Sequence, residues 1–281
     1  MLGRITLAFF FLLLIWGNLV AGLEAGLGCP DWPLCRGEVI PPLKFDVWME
    51  FTHRIIAAAA TVFLLLLARQ RVRSYSGMAR LIPITACGLI AVVIVLGGIT
   101  VIMELPAQVT TIHFMTGLAI FLLVAYMAVF DGRDKIPRFP AKGYAGLFLG
   151  LVLLVFSQAS LGAYVRHSGA GLACPDFPTC LGSWLPHLSG SVLVHYSHRI
   201  LAYLIAATIA ALAAAIHIDA DLKIHRRPAL FLLALALVQT GVGAGVVQSR
   251  LFFAATAFHL AVALLMLLVT GGMWVNEGES P

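Results

Sequence analysis

Four histidines of this chain lie inside apolar segments, where an imidazole is costly unless it binds something. His53 and His113 belong to the first half of the sequence, and His198 and His259 to the second. His53 and His113 each stand about seven residues in from the same end of their segments, a depth of about 10 Å at the helical rise. His198 and His259 repeat the pair with one additional residue between them. Two imidazoles facing each other from two helices of a bundle suit an iron porphyrin, which takes two axial nitrogen ligands and needs an apolar slot for its flat ring. Zinc or copper fits less well: further ligands would be needed at the same depth, and only Glu50 and His195 stand there.

Glu50 precedes His53 by three residues, one turn along the same helix face. The matching residue of the second half is His195. A carboxylate at this depth needs a partner or a task. Glu50 is therefore the catalytic candidate: it can exchange protons with a substrate or, ionised, stabilise positive charge developing on a neighbouring carbon. His195 reads as a supporting or surface group rather than an iron ligand. Arg54 and Arg199, directly after His53 and His198, have two equal readings: snorkelling to lipid headgroups or pairing with porphyrin propionates. Gly17, Gly22, Gly97, Gly98, Gly117, Gly162, Gly241, Gly243 and Gly245 fall within or at the ends of the same segments, and allow close helix packing or room for a flat ring.

Cysteines form the second constellation. "GLGCPDWPLC" at 26–35 returns as "GLACPDFPTC" at 171–180. The two prolines between each pair bend the chain, so Cys29 is expected to pair with Cys35 and Cys174 with Cys180. Such pairs either staple a loop or handle electrons, and the spacing leaves both roles open. It is wider than structural zinc motifs use. Cys87, inside an apolar segment, reads as packing. His167 and His187 lie in the loop region of the second half, His217 and His225 lie at the opposite end from the histidine layer, and Glu104 with Gln108 is expected to cap the turn between the third and fourth segments.

The elements that must position these groups are legible from composition. The chain has 281 residues, of which 61% are hydrophobic and 11% charged, far below the charge content of soluble proteins. Continuous apolar runs near 3–22, 46–68, 79–102, 108–130, 143–165, 191–217, 228–249 and 253–274 are long enough to cross a bilayer. The expected fold is an all-α membrane protein of eight transmembrane helices. A shift of 145 places Gly17 on Gly162, Cys29 on Cys174 and His53 on His198 without a gap. This internal repeat predicts two pseudo-symmetric four-helix bundles, at 1–135 and 136–281, and makes the first apolar run a retained helix rather than a cleaved leader. Lys and Arg concentrate in the loops on the side of Arg4, Arg69, Arg71, Arg73 and Arg80, which predicts a cytoplasmic side holding both termini and an oxidising outer side holding the cysteine loops. The net charge of +5 is that asymmetry, and lipid rather than nucleic acid is the expected surroundings.

With "CPDWPLC", "CPDFPTC", "EFTHR", "HYSHR" and the lone His113 and His259, the chain resembles the heme A synthase family over nearly its whole length. The resemblance implies oxidation of the C8 methyl of heme O to a formyl group, giving heme A for terminal cytochrome oxidases in a bacterial cell membrane. It implies that His53 and His113 ligate the substrate heme beside the essential carboxylate Glu50, and that His198 and His259 hold a heme b cofactor. It implies a redox or heme-transfer role for Cys29 and Cys35, a structural one for Cys174 and Cys180, and heme O synthase as functional neighbour; an oligomer is compatible with it. A di-heme cytochrome relaying electrons from quinol would leave Glu50 and the doubled cysteine loops without purpose. A membrane disulfide oxidoreductase would leave the histidines without one.

Overall fold

The structure, a computed structural model, describes residues 1–277. Among the described residues eight long helices account for the apolar runs: α1 (Leu2–Gly22), α2 (Phe45–Ser74), α3 (Leu81–Ile102), α4 (Ala107–Val129), α5 (Tyr144–His167), α6 (Gly190–Ile218), α7 (Arg226–Gln248) and α8 (Phe253–Asn276). All eight are long and apolar enough to span a membrane. This follows from the sequence, because an uninterrupted apolar run satisfies its backbone polar groups in lipid only as a helix or within a closed barrel. Among the described residues no strand competes; two isolated bridges, Cys35 with Glu38 and Cys180 with Ser183, are all the extended pairing there is.

The chain divides into two compact units, Met1–Arg138 and Phe139–Pro281. In the first, α1 packs on α2 and α4, and α3 packs on the same two, so α2 and α4 face each other diagonally. In the second, α5 and α7 each pack on both α6 and α8, which leaves α6 and α8 opposite. The cysteine loops join α1 to α2 and α5 to α6. The short turns from α3 to α4 and from α7 to α8 lie at the same end of their own bundles. Both turns use left-handed backbone at Glu104 and Leu105, and at Arg250 and Leu251. Leu105 and Leu251 are held down by Gly26 and Gly171: a Cβ on either glycine would come within 3.0 Å of the leucine methyls.

Two expectations about this frame need correction. Glu104 and Gln108 do not cap the α3–α4 turn; α4 starts from Pro106 with no side-chain cap. Arg71, counted among the loop charges, lies within a helix. Helix α2 runs on to Ser74 past the end of the apolar run, and Arg71 turns inward, buried, with its Nε donating to the carbonyl of Met127 at 2.9 Å. Tyr75 adds a hydroxyl bond to the carbonyl of Phe130 at 2.6 Å. These contacts tie the far ends of α2 and α4 together, at the end away from the histidines.

Candidate functional site

The repeated cysteine sentence folds into the same small object twice. Cys29 is bonded to Cys35 and Cys174 to Cys180, as expected, and all four are buried. The aspartate of each copy explains its place in the motif. Asp31 accepts the backbone N–H groups of Arg36 and Gly37, the latter at 2.7 Å, and Asp176 accepts those of Leu181 and Gly182 at 2.6 and 2.9 Å. Arg36 and Leu181 adopt left-handed backbone, as do the glycines after them, so successive N–H groups converge on one carboxylate. The Gly37 N–H bond, opposed by some desolvation, holds the Asp31 carboxyl below its ordinary value. Asp176 is lowered to about 2, first by the Thr179 hydroxyl and then by the Gly182 N–H.

Arg54 and Arg199 lock these loops onto α2 and α6. Arg54 donates from Nη1 to the carbonyls of Asp31 at 2.9 Å and Leu34 at 2.7 Å, and from Nη2 to that of Cys29 at 3.1 Å. Arg199 makes the same three contacts, to Asp176, Thr179 and Cys174, each at 2.6 Å. The planar five-donor guanidinium suits this task, since it can serve several carbonyls at once without moving. The backbone of the cysteine loop is a partner of both arginines that the sequence did not reveal. The signal available was the parallel doubling of the loop and of the "HR" dipeptide.

Below the loops the four histidines are built alike. His53 on α2 rests against Gly17 of α1, His113 on α4 against Gly97 of α3, His198 on α6 against Gly162 of α5, and His259 on α8 against Gly243 of α7. A Cβ on any of these glycines would lie 2.9 to 3.1 Å from the imidazole Cε1. The glycines were expected to serve packing or a flat ring, and these four leave space for the imidazoles themselves. Within each unit the two rings stand on the diagonal helices. His113 Nδ1 faces the carbonyl of Val93 at 3.0 Å. The Nδ1 atoms of His53, His198 and His259 are buried without a partner.

Glu50 and His195 occupy matching positions but differ in what is left over. Glu50 is 6% exposed, and its Oε1 accepts from Arg54 Nη2 at 2.9 Å while Oε2 is buried with no partner. His195, 4% exposed, lies 3.3 Å by Nδ1 from the Cys174 nitrogen and 3.3 Å by Nε2 from Arg199 Nε; a neutral imidazole accepts at one nitrogen only, so it takes one of these two bonds. It is thus a buried brace of the second loop. The first unit alone keeps a carboxylate oxygen in reserve.

Three further residues escaped the sequence reading. Gln158 on α5 brings its Nε2 to 3.4 Å from His198 Nε2 and to 2.9 Å from the His198 carbonyl. Gln239 on α7 stands 3.4 Å from His259 Nε2. Each lies four residues before the glycine that backs its histidine, which was the available signal. Trp32, in the first cysteine loop, lays its ring against Gly98, where a Cβ would meet it at 3.1 Å. The residue in the place of Gly98 is Ala244 in the second unit.

Two imidazoles per unit, with no third or fourth ligand, decide which kind of metal group these residues could hold. Among the described residues no cluster of three or more His, Cys, Asp or Glu side chains could take a bare ion. A porphyrin brings four nitrogens of its own and asks the protein for two more on opposite faces. The glycine-backed rings on diagonal helices fit that demand. His167, His187, His217 and His225 do not join either pair; His225 bonds Glu277 at 2.6 Å at the other end of the second unit.

Comparison with known proteins points the same way. The model of the family described as "Cytochrome oxidase assembly protein" (COX15-CtaA) matches residues 42–270, a stretch that includes Glu50 and all four histidines. A heme A synthase of Halalkalibacterium halodurans is 34% identical over 206 residues, 70% of this chain and 69% of that protein. The chain belongs to the heme A synthase family. The heme A synthase of Bacillus licheniformis is 32% identical over 279 residues, covering 92% of the chain and 90% of the relative. That of Shewanella oneidensis is 26% identical with 94% and 92% covered. Membership makes the chain an oxidoreductase of heme A biosynthesis, in a family of multi-pass membrane proteins that act on heme, the group for which the paired imidazoles are suited.

Proposed function

We propose that the chain oxidises the C8 methyl of heme O to a formyl group, with the substrate held in the first unit by His53 and His113. A heme b held by His198 and His259 in the second unit would supply one-electron chemistry. The observation that carries the division of labour is the partnerless Oε2 of Glu50, one turn from His53, against an imidazole, His195, at the matching place of the second unit.

Each residue of the first unit then has a defined task. His53 and His113, reaching from diagonal helices, fix the plane of the substrate ring. Gly17 and Gly97 leave the imidazoles room to stand across the bundle. Arg54 grips Oε1 of Glu50 and so fixes where Oε2 points. Held there, Oε2 can take a proton from the reacting carbon or, ionised, stabilise positive charge developing on it. The disulfide loop contributes by fixing Arg54, and the buried surroundings strengthen each of these interactions.

The distribution of Lys and Arg supports cytoplasmic termini and outer cysteine loops in a bacterial cell membrane. An enzyme that forms heme O must supply the substrate, which makes heme O synthase a functional neighbour. The deciding experiment expresses this chain with a heme O synthase and separates the extracted hemes by chromatography. Heme A or its hydroxylated intermediate is expected with the unaltered chain and is expected to vanish in Glu50→Gln with bound heme retained. Normal heme A output from Glu50→Gln would remove the carboxylate from the mechanism. Heme b alone from the unaltered chain would turn the reading into an electron-relay cytochrome.

A further inference from the structure

The two histidine pairs differ in a feature that the repeat does not predict. In the second unit each iron-binding candidate nitrogen has a glutamine amide beside it: Gln158 at 3.4 Å from His198 Nε2 and Gln239 at 3.4 Å from His259 Nε2. The two amides come from α5 and α7, each one helical turn before the glycine that backs the same histidine. Both amide oxygens are buried without a partner. At the same places in the first unit, four residues before Gly17 and Gly97, the chain carries Leu13 and Val93. The first pair is therefore flanked by hydrocarbon at the two places where the second is flanked by dipoles.

Burying two amide groups with unpaired oxygens costs free energy, about 1–3 kcal/mol for each unmet group. The first unit shows that the bundle packs with aliphatic residues in both places. Packing alone does not require the glutamines, so their value lies in what they do to the group between the histidines.

We infer that Gln158 and Gln239 are positioning residues that set the redox poise of the heme held by His198 and His259. The inference rests on the reading that this pair holds heme. Its physical basis is the charge difference between the two iron states. The ferric bis-imidazole porphyrin core carries a net positive charge and the ferrous core carries none, so a fixed dipole that turns its positive end to the iron favours the ferrous form. Both glutamines turn their amide N–H₂ groups toward the axial nitrogens, Gln158 pinned there by the His198 carbonyl at 2.9 Å, and so hold the second heme at a higher potential than an aliphatic site would, which suits a centre that accepts electrons.

The test is a spectroelectrochemical titration of the purified, heme-loaded protein. His198→Ala identifies which spectral component belongs to the second pair; unchanged heme content and spectrum in that variant would overturn the heme assignment and the inference with it. Exchange for the first-unit residues, Gln158→Leu with Gln239→Val, is expected to lower the midpoint potential of that component while the bis-histidine spectrum and heme content stay as they were. An unchanged or raised midpoint with heme content intact would overturn the inference and leave the heme assignment standing. If the exchanged pair does not accumulate, Gln158→Met with Gln239→Met keeps the length of the side chains without the amides and decides the same question by the same direction of shift.

Discussion

Arg54 Nη2 lies 2.9 Å from Glu50 Oε1 and, on its other side, 3.1 Å from the carbonyl oxygen of Cys29. One nitrogen thereby joins the reserved carboxylate of the site to the disulfide loop above it. In the second unit the corresponding chain runs from Cys174 through Arg199 to a neutral-type partner, His195. The same fastening is used in both units, but only in the first does it end on a carboxylate with a second, unpartnered oxygen.

Opening the first disulfide should therefore be felt at Glu50. In Cys29→Ser with Cys35→Ser, the loop carbonyls no longer hold Arg54 in place, and heme A formation is expected to fall about tenfold, the scale of one charge-assisted hydrogen bond. Substrate heme bound by His53 and His113 should remain near the level of the unaltered chain. Heme extraction, quantified separately as content and as product, measures both; an unchanged rate would show that the loop does not position the carboxylate.

Lysine cannot replace either arginine. Its single ammonium cannot reach three carbonyls spread over a loop, so Arg199→Lys is expected to cost about 2 kcal/mol or more of stability through unmet buried carbonyls. Arg54→Lys should lower heme A output as well as stability. Thermal unfolding in detergent, followed by the heme absorbance of each variant, reads the difference.

The glycines against the histidines give a paired comparison. Alanine at Gly17, Gly97, Gly162 or Gly243 places a methyl 2.9 to 3.1 Å from an imidazole carbon, an overpacking expected to cost about 1–3 kcal/mol and to displace the ring. Heme content should fall severalfold in each. Gly88→Ala and Gly150→Ala meet nothing within 4 Å and should leave it unchanged. Equal heme content in the two groups would mean that the rings do not need this space.

Acid should loosen the second loop within a defined window. The Asp176 carboxyl is depressed from 3.8 to about 2, so its contribution is complete above the unfolded value and fades as the pH drops from 3.8 toward 2. Reduction of Cys174–Cys180 by a water-soluble phosphine should accelerate across that window. In Asp176→Asn the rate should be high throughout and lack this step, and a step of the same size in that variant would place its origin elsewhere.

The helices and the histidine pairs were legible because each rests on a pattern confined to one segment: an apolar run, or a polar residue at a fixed depth. Disulfide pairing was legible because the cysteines stand close in sequence. What escaped depends on how separate segments fold back on one another. That Arg54 serves the carbonyls of the loop at 29–35 was hidden until the loop was seen lying over α2. Arg71 looked like a topology signal because no pattern in α2 announces the carbonyl of Met127, more than fifty residues on. Gln158 and Gln239 read as stray polar residues in apolar helices until the histidines opposite them were in place.

Each glycine and the histidine it backs belong to consecutive helices: α1 and α2, α3 and α4, α5 and α6, α7 and α8. A ligand is thus seated as soon as its own hairpin has closed, before the rest of its bundle exists. During synthesis, when helices enter the bilayer in order, the last event in each unit becomes the docking of two finished hairpins. The slot between them does not exist until that moment, so biogenesis offers an opening in which a large flat molecule could be enclosed rather than threaded in.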